Sequence, residues 1–218
     1  RDLGVELTIM SLHRGDAEFD GLEIDRFSKW ELLALIWRLP LIVLMRFPVF
    51  RKWFKELFTH RPPTGLSFWA NMLGMGVAVV REPQIRSMNP DLVHCVWSAD
   101  PASFGWVTSL LVGLPFSVGA HAYDVFDRGG DWLLRTKTRE AILVHTSTES
   151  AYSRLVDFVP EKKLKLIRRG MNQFPEFKLL RSEREVLRII CVARLVEKKG
   201  FPYQIEIYAA LRDAGVAF

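Results

Sequence analysis

Apolar and polar positions along the chain follow two rhythms, and the change between them divides it. From residue 92 onward, short apolar runs at residues 92–97, 115–120, 142–145 and 164–167 read as β-strands. Between them lie stretches of helical period at residues 101–112, 132–140 and 148–158, the first opening on Pro101, where a proline is well placed. Strands alternating with helices of this length predict a parallel, doubly wound sheet. Upstream, residues 5–12 read as a strand and His13-Arg14-Gly15-Asp16 as a polar loop. Residues 30–58, from Trp30 to Phe58, form an aromatic and basic helical region interrupted by Pro40 and Pro48, and residues 66–86 a second helix. Residues 170–184 have no period and read as an interdomain crossover, after which the apolar run 186–192 and a helix from Phe201 begin a new βα unit. This pattern predicts two domains, residues 1–169 and 170–218. Arg1-Asp2-Leu3-Gly4 reads as the last turn of a helix, and Gly215 as a cap before a new apolar run. Elements are therefore expected to continue beyond both ends, leaving the true N-terminus upstream.

Composition narrows the picture. The chain has 218 residues, 49% of them hydrophobic, enough for one large domain or two small ones. Its net charge of +5 and isoelectric point near 9.4 favour anionic ligands or surfaces. No nucleic-acid motif accompanies that charge, so nucleic acid is not an expected partner. Cys95 and Cys191 both fall inside expected strands and read as lone buried thiols of a reducing compartment. There is no Cys/His cluster at zinc spacing, no phosphate-loop glycine motif and no Gly-x-Ser-x-Gly elbow, so a zinc site, a P-loop and a hydrolase nucleophile have no support in the sequence.

Residues 30–58 mix Trp30, Trp37, Phe47, Phe50, Trp53, Phe54 and Phe58 with Arg38, Arg46, Arg51, Lys52 and Lys55. The longest uncharged run, residues 39–45, is far short of the ~20 residues that span a bilayer. Two readings stay open. The segment lies flat on an anionic membrane as a peripheral contact, or it packs on a sheet with its cations reaching past apolar neighbours to water.

Chemistry is expected at the strand ends, because open α/β sheets bind ligands there. After the run at residues 115–120 come His121-Ala122-Tyr123-Asp124. A histidine leaving a strand tip, with an aspartate three residues on, offers a donor, an acceptor and a fixed charge to a polyol; a local turn and a helix cap account for the pair equally well. Asp100 reads mainly as a helix-start residue, capping also explains most of His145, Thr146, Ser147 and Glu149, and His94 reads as a satisfied buried histidine. The turn Arg194-Leu195-Val196-Glu197-Lys198-Lys199-Gly200 places three cations and a glycine between a strand and a helix, an arrangement suited to a diphosphate.

Three stretches together resemble glycosyltransferase family 4. Residues 114–126, with His121, Ala122, Asp124 and Phe126, are similar to that family's "G-x-P-x-x-x-x-x-H-A-x-D-x-F" stretch. Ile167-Arg168-Arg169-Gly170-Met171-Asn172, with Phe174 and Phe177, looks like its "H-x-G-[VI]-D-x-x-x-F" crossover. Val192-Ala193-Arg194-Leu195 through Lys199-Gly200 resembles its "V-G-R-L-x-x-x-K-G" turn. Ala193 stands where the family commonly has Gly, and Asn172 where it has Asp.

The resemblance implies a GT-B fold. Residues 1–169 would be a nearly complete N-terminal, Rossmann-like acceptor lobe, and residues 170–218 the start of a C-terminal nucleotide-sugar lobe. It implies retaining transfer of a sugar, with no metal or cofactor, from a UDP- or GDP-sugar substrate to a glycan or lipid-linked acceptor in surface polysaccharide synthesis, in the cytoplasm or at the inner face of the plasma membrane. His121 would contact the transferred sugar, Arg194 and Lys199 would hold the donor diphosphate, and Asp124, Gly170 and Gly200 would shape the cleft and its loops. The family's paired glutamates would lie past Phe218, so this stretch alone is expected to be inactive. A non-catalytic Rossmann-like binding protein and a membrane-associated scaffold are the competing readings.

Overall fold

A computed structural model describes residues 4–13, 15–170, 186 and 188–218. The crossover at residues 171–184, with Asn172, Phe174 and Phe177, lies outside the described residues, as do Arg14 and the expected helix end at residues 1–3. Two compact units divide the chain, Arg1–Gly170 and Met171–Phe218.

The first unit opens with a small sheet. Strand β1 (Ile9–Ser11) runs parallel to β3 (Leu22–Arg26), and β2 (Glu18–Phe19) pairs antiparallel on the other side of β3. Only three residues of the strand expected over 5–12 find ladder partners, and Val5 and Leu7 outside that pairing face solvent. A 3-10 turn (Lys29–Ala34) then enters α1 (Leu35–Met45), α2 (Phe47–Thr59) and α3 (Gly65–Met88). Ser28 and Glu31 form a reciprocal cap at the turn, the Ser28 N–H donating to Glu31 Oε1 at 2.9 Å. Pro48 sits in the first turn of α2, where it sacrifices no helical hydrogen bond. The chain bends there by 110°, so the aromatic region of the sequence is two helices.

Four strands, β4 (Val93–Cys95), β5 (Phe116–Gly119), β6 (Leu143–Thr146) and β7 (Leu164–Leu166), pair in chain order, all parallel. Helices α4 (Asp100–Val112), α5 (Tyr123–Phe126), α6 (Leu134–Glu140) and α7 (Glu149–Val156) occupy the connections. This is a Rossmann-like α/β arrangement.

Register separates the two faces of the sheet. Cys95, Val118, Val144 and Leu164 form one buried row. On that side Gly105 brings α4 so close that a Cβ there would lie 2.3 Å from Cys95 Sγ. Buried Cys95 has its thiol pushed up to about 12 by desolvation and is inert at neutral pH. The opposite face carries His94, Ser117, Gly119, Leu143, His145 and Lys165. A parallel sheet covered on both faces would show continuous apolar runs. Here His94, Ser117, His145 and Lys165 interrupt the four strands on this face, and His94 and Lys165 remain exposed.

Under the connections, Lys137 of α6 has no exposed surface. Its ammonium donates to Asp131 Oδ2 at 2.7 Å, Asn71 Oδ1 at 2.8 Å and the Ala99 carbonyl at 3.2 Å. Asp131 also accepts from Ser67 Oγ at 2.7 Å and from the Asn71 amide at 3.1 Å, so a polar knot joins α3, α4 and α6.

In the second unit, described residues 188–192 pair with no strand, unlike the strand expected over 186–192. Without a sheet to cover them, Ile190, Cys191 and Val192 are exposed, so Cys191 is not the buried thiol that its pattern suggests. A 3-10 turn (Glu197–Lys199) leads through Gly200 at φ +67° into α8 (Phe201–Asp213). That helix ends as its sequence foretells: Gly215 N–H donates to Arg212 O at 2.9 Å and Val216 N–H to Leu211 O at 3.0 Å, with Gly215 at φ +78°.

Candidate functional site

The site is built at the carboxyl ends of β4, β5 and β6. Gly119, the last residue of β5, is there because nothing larger fits: a Cβ would stand 2.5 Å from the Val96 carbonyl, 2.9 Å from His121 Nε2 and 3.0 Å from His145 Nε2. Three imidazoles gather over it. The His121 and His145 rings meet edge to face at 5.1 Å, and His145 stacks on His94 at 5.2 Å. Trp97 packs edge-on against His121 at 5.7 Å and stacks on Tyr123 at 5.9 Å. His94 is therefore not a buried core residue; it is exposed, with Nδ1 2.8 Å from Ser117 Oγ.

Desolvation, joined at His121 and His145 by neighbouring positive charge, disfavours the protonated form of these rings. Desolvation lowers His121 below the usual imidazole value, with the Arg169 and His94 charges adding to the effect. His145 is pushed down to about 4, first by burial and then by His121 and His94, and His94, exposed as a residue but with its ring partly desolvated between His145 and Ser117, is lowered too. A neutral ring carries one N–H donor and one nitrogen acceptor, which suits hydroxyl groups better than anions; Nδ1 of His94 is already engaged by Ser117, and Nδ1 of His121 and His145 is buried. Among the described residues, no group of three or more His, Cys, Asp or Glu is placed to hold a metal ion.

His121 also lines an open cleft of about 600 Å³ with Ala122, Phe126, Ser147, Thr148, Ser150, Arg168 and Arg169. That volume suits a small ligand. Its walls place two guanidinium groups opposite the first turn of α7. Thr148 is a true helix cap, its Oγ1 accepting from Ala151 N–H at 3.3 Å. Arg168 is additionally paired with Glu149 across the rim. Beside His121, Ala122 holds φ +44° and ψ −119°, a backbone region that a residue with a Cβ avoids. Such strain survives only where the surroundings over-determine it. Here the Asp124, Val125 and Phe126 N–H groups bond back to the His121 and Ala122 carbonyls at 3.1 to 3.2 Å.

Asp124 does not enter the cleft. It is fully buried and accepts from Ser98 N–H at 2.9 Å and Ser98 Oγ at 3.1 Å, tying the β5 loop to the β4 loop. Burial raises its carboxyl to about 6 despite those two donors. Asp100, which the sequence suggests as a helix cap, makes no cap bond; Ala99 holds that position, and Asp100 Oδ2 lies 2.6 Å from His13 Nε2. Gly170 closes the first unit, exposed and with open space around it.

In the second unit, Arg194 and Lys199 are both exposed on the turn before α8. The Lys199 N–H donates to the Val196 carbonyl at 3.0 Å, its own carbonyl accepts from Gln204 Nε2 at 3.1 Å, and Gly200 N–H donates to Glu197 O at 2.8 Å. These bonds fix the backbone and leave both cationic side chains available.

Arg168 and Arg169 join His121 in the cleft, a role the sequence does not assign them, and His145, which the sequence places among the residues at a helix start, packs against His121 instead. His94 and His145 become a cluster with His121 only when the register is known. The fold and site thus define a Rossmann-like α/β protein with a polar, cationic cleft at the strand tips. No protein-family model matches the chain, and no curated protein matches it.

Proposed function

We propose that this chain is part of a retaining glycosyltransferase that moves a sugar from a UDP- or GDP-sugar to a glycan or lipid-linked acceptor. The observation that carries the reading is His121: a neutral, largely buried imidazole at the tip of a parallel strand, facing a cleft with two arginines. Neutral rings and hydroxyls match the polyol of a sugar, and guanidinium groups match a neighbouring phosphate. The order of the three family-like stretches in the sequence supports the same chemistry. In this reading Arg194 and Lys199 stabilise the diphosphate as it leaves, an electrostatic role, and no metal is required.

The test is sugar transfer by the protein that carries this segment, assayed over a panel of UDP- and GDP-sugars. Loss of one charge-assisted contact in Lys199→Ala is expected to cost about 2–3 kcal/mol, or ~30- to 150-fold in rate. His121→Ala is expected to lose turnover with donor binding largely kept. Unchanged turnover in Lys199→Ala removes the phosphate assignment. Donor binding without transfer in the parent favours a binding protein that keeps the fold and has no chemistry.

A further inference from the structure

The first helices expose an apolar surface of unusual extent. Leu35, Leu39 and Ile42 turn one side of α1 onto the core, where an amphipathic helix would then show polar residues outward. Instead the outward side holds Leu33, Ile36, Trp37, Leu41, Leu44 and Met45, with Ile36 73% and Leu44 81% exposed. Arg38, the one charge within α1, is drawn inward, and Arg46, exposed at the end of the helix, is tethered toward α4. Arg38 Nε donates to the Val79 carbonyl and its Nη2 to Glu82, both at 2.9 Å, and Arg46 Nη1 donates to the Leu111 carbonyl at 2.7 Å. The outward positions of α1 therefore carry no charge, and Arg46 stands at the edge of the face.

Charge decides what covers it. Residues 29–61 contain seven Lys and Arg against two carboxylates, an excess of five that equals the net charge of the whole chain. Both carboxylates are engaged inward, Glu31 with Arg81 and Glu56 with Thr136 at 2.7 Å. Lys29, Arg51, Lys55 and Arg61 stay exposed around the apolar surface, together with Trp30, Phe47, Phe54 and Phe58. A second copy of the chain would bring this positive excess against itself. An anionic lipid surface accepts both the apolar face and the cations.

Length sets how deep the contact goes. Eleven residues of α1 extend only ~16 Å, about half the hydrocarbon thickness, and among the described residues no single helix is long and apolar enough to cross a membrane. We propose that α1 and the start of α2 lie in the interface of an anionic bilayer, with Ile36, Trp37, Leu41 and Leu44 among the acyl chains and Arg51 and Lys55 at the headgroups. This assignment does not rest on the sugar-transfer reading.

Co-sedimentation of the full chain with vesicles tests it, using phosphatidylcholine alone and phosphatidylcholine with phosphatidylglycerol. Binding is expected to be much tighter to the anionic vesicles and to weaken with salt. The Ile36→Asp/Leu44→Asp variant changes only exposed positions; it should keep the parent's melting temperature and lose more than tenfold in partition to both vesicles. Arg51→Gln/Lys55→Gln should lose about fivefold per cation on anionic vesicles and nothing on neutral ones. If the parent stays in the supernatant with both, the proposal fails. It fails equally if the parent is a dimer in ultracentrifugation that Ile36→Asp/Leu44→Asp separates, with no lipid binding, because a second copy then covers the face.

Discussion

Replacing Lys137 by Met keeps the length of a fully buried side chain and removes its charge. Three acceptors within 3.2 Å lose their donor at once, and Asp131, only 8% exposed, loses its counter-ion. Breaking one side of a buried pair costs about 3–5 kcal/mol, because the remaining charge is left desolvated. Asp131 still accepts from Ser67 and Asn71, which places the expected loss near the lower end. For a domain of this size, ~3 kcal/mol lowers the melting temperature by roughly 6–12 °C. The assay is thermal and urea unfolding of the parent, Lys137→Met, Asp131→Asn and the double variant. Neutralising both partners should restore at least about 1 kcal/mol relative to the sum of the single losses, a coupling that only contacting residues show. A single-variant loss below ~1 kcal/mol, or strictly additive losses, would refute the view that this ion pair holds α3, α4 and α6 together.

Gly119→Ala should displace both imidazoles above β5, since its Cβ would meet the Val96 carbonyl at 2.5 Å; histidine proton shifts by NMR would then move for His121 and His145 together. Ala122→Gly should stabilise the first unit by about 1 kcal/mol by relieving a positive φ, and an unchanged or lowered unfolding midpoint would argue against strain at this residue. The pH dependence has two opposed parts. Asp124, raised from 3.8 to about 6 when folded, binds its proton more tightly in the native state, so its contribution falls as pH rises between those values. His145, lowered from 6.5 to about 4, makes the unfolded state the better proton binder, so its contribution rises across nearly the same range. Asp124→Asn leaves the second unopposed, and its stability relative to the parent should increase by about 2–3 kcal/mol from pH 4 to pH 7 in urea titrations; parallel curves would refute the assignment.

The alternation of strands and helices from β4 to β7 was legible because each element is bounded by its own local signals. Pro101 opens α4, Thr148 caps α7 and Gly215 closes α8. His121 was legible as a strand-tip residue for the same reason. The cluster around it was not, since pairing His145 with Gly119 and His94 with Ser117 is a fact of register, and a single strand does not contain its register. Lys137 sits in a stretch with Arg135 and Arg139 that reads as a solvated helix face, and only the packing of α3 against α6 decides which cation turns inward. Arg38 and Arg46 mislead in the opposite direction. Linear charge density counts them as breaks in the apolar run, whereas folding turns Arg38 inward and ties the exposed Arg46 to the Leu111 carbonyl at the end of the helix.

The chain-order sequence of the parallel strands has a consequence for biosynthesis. Each strand from β5 onward docks on the one made just before it, and none waits for a partner synthesised later. At ~5–20 residues per second, the roughly 25 residues from one strand to the next take about 1–5 seconds to emerge, long compared with most elementary folding steps. The sheet can therefore grow on the ribosome one βα unit at a time. The edge exposed at each moment is the template for the next segment, which limits how long it is open to pairing with another chain.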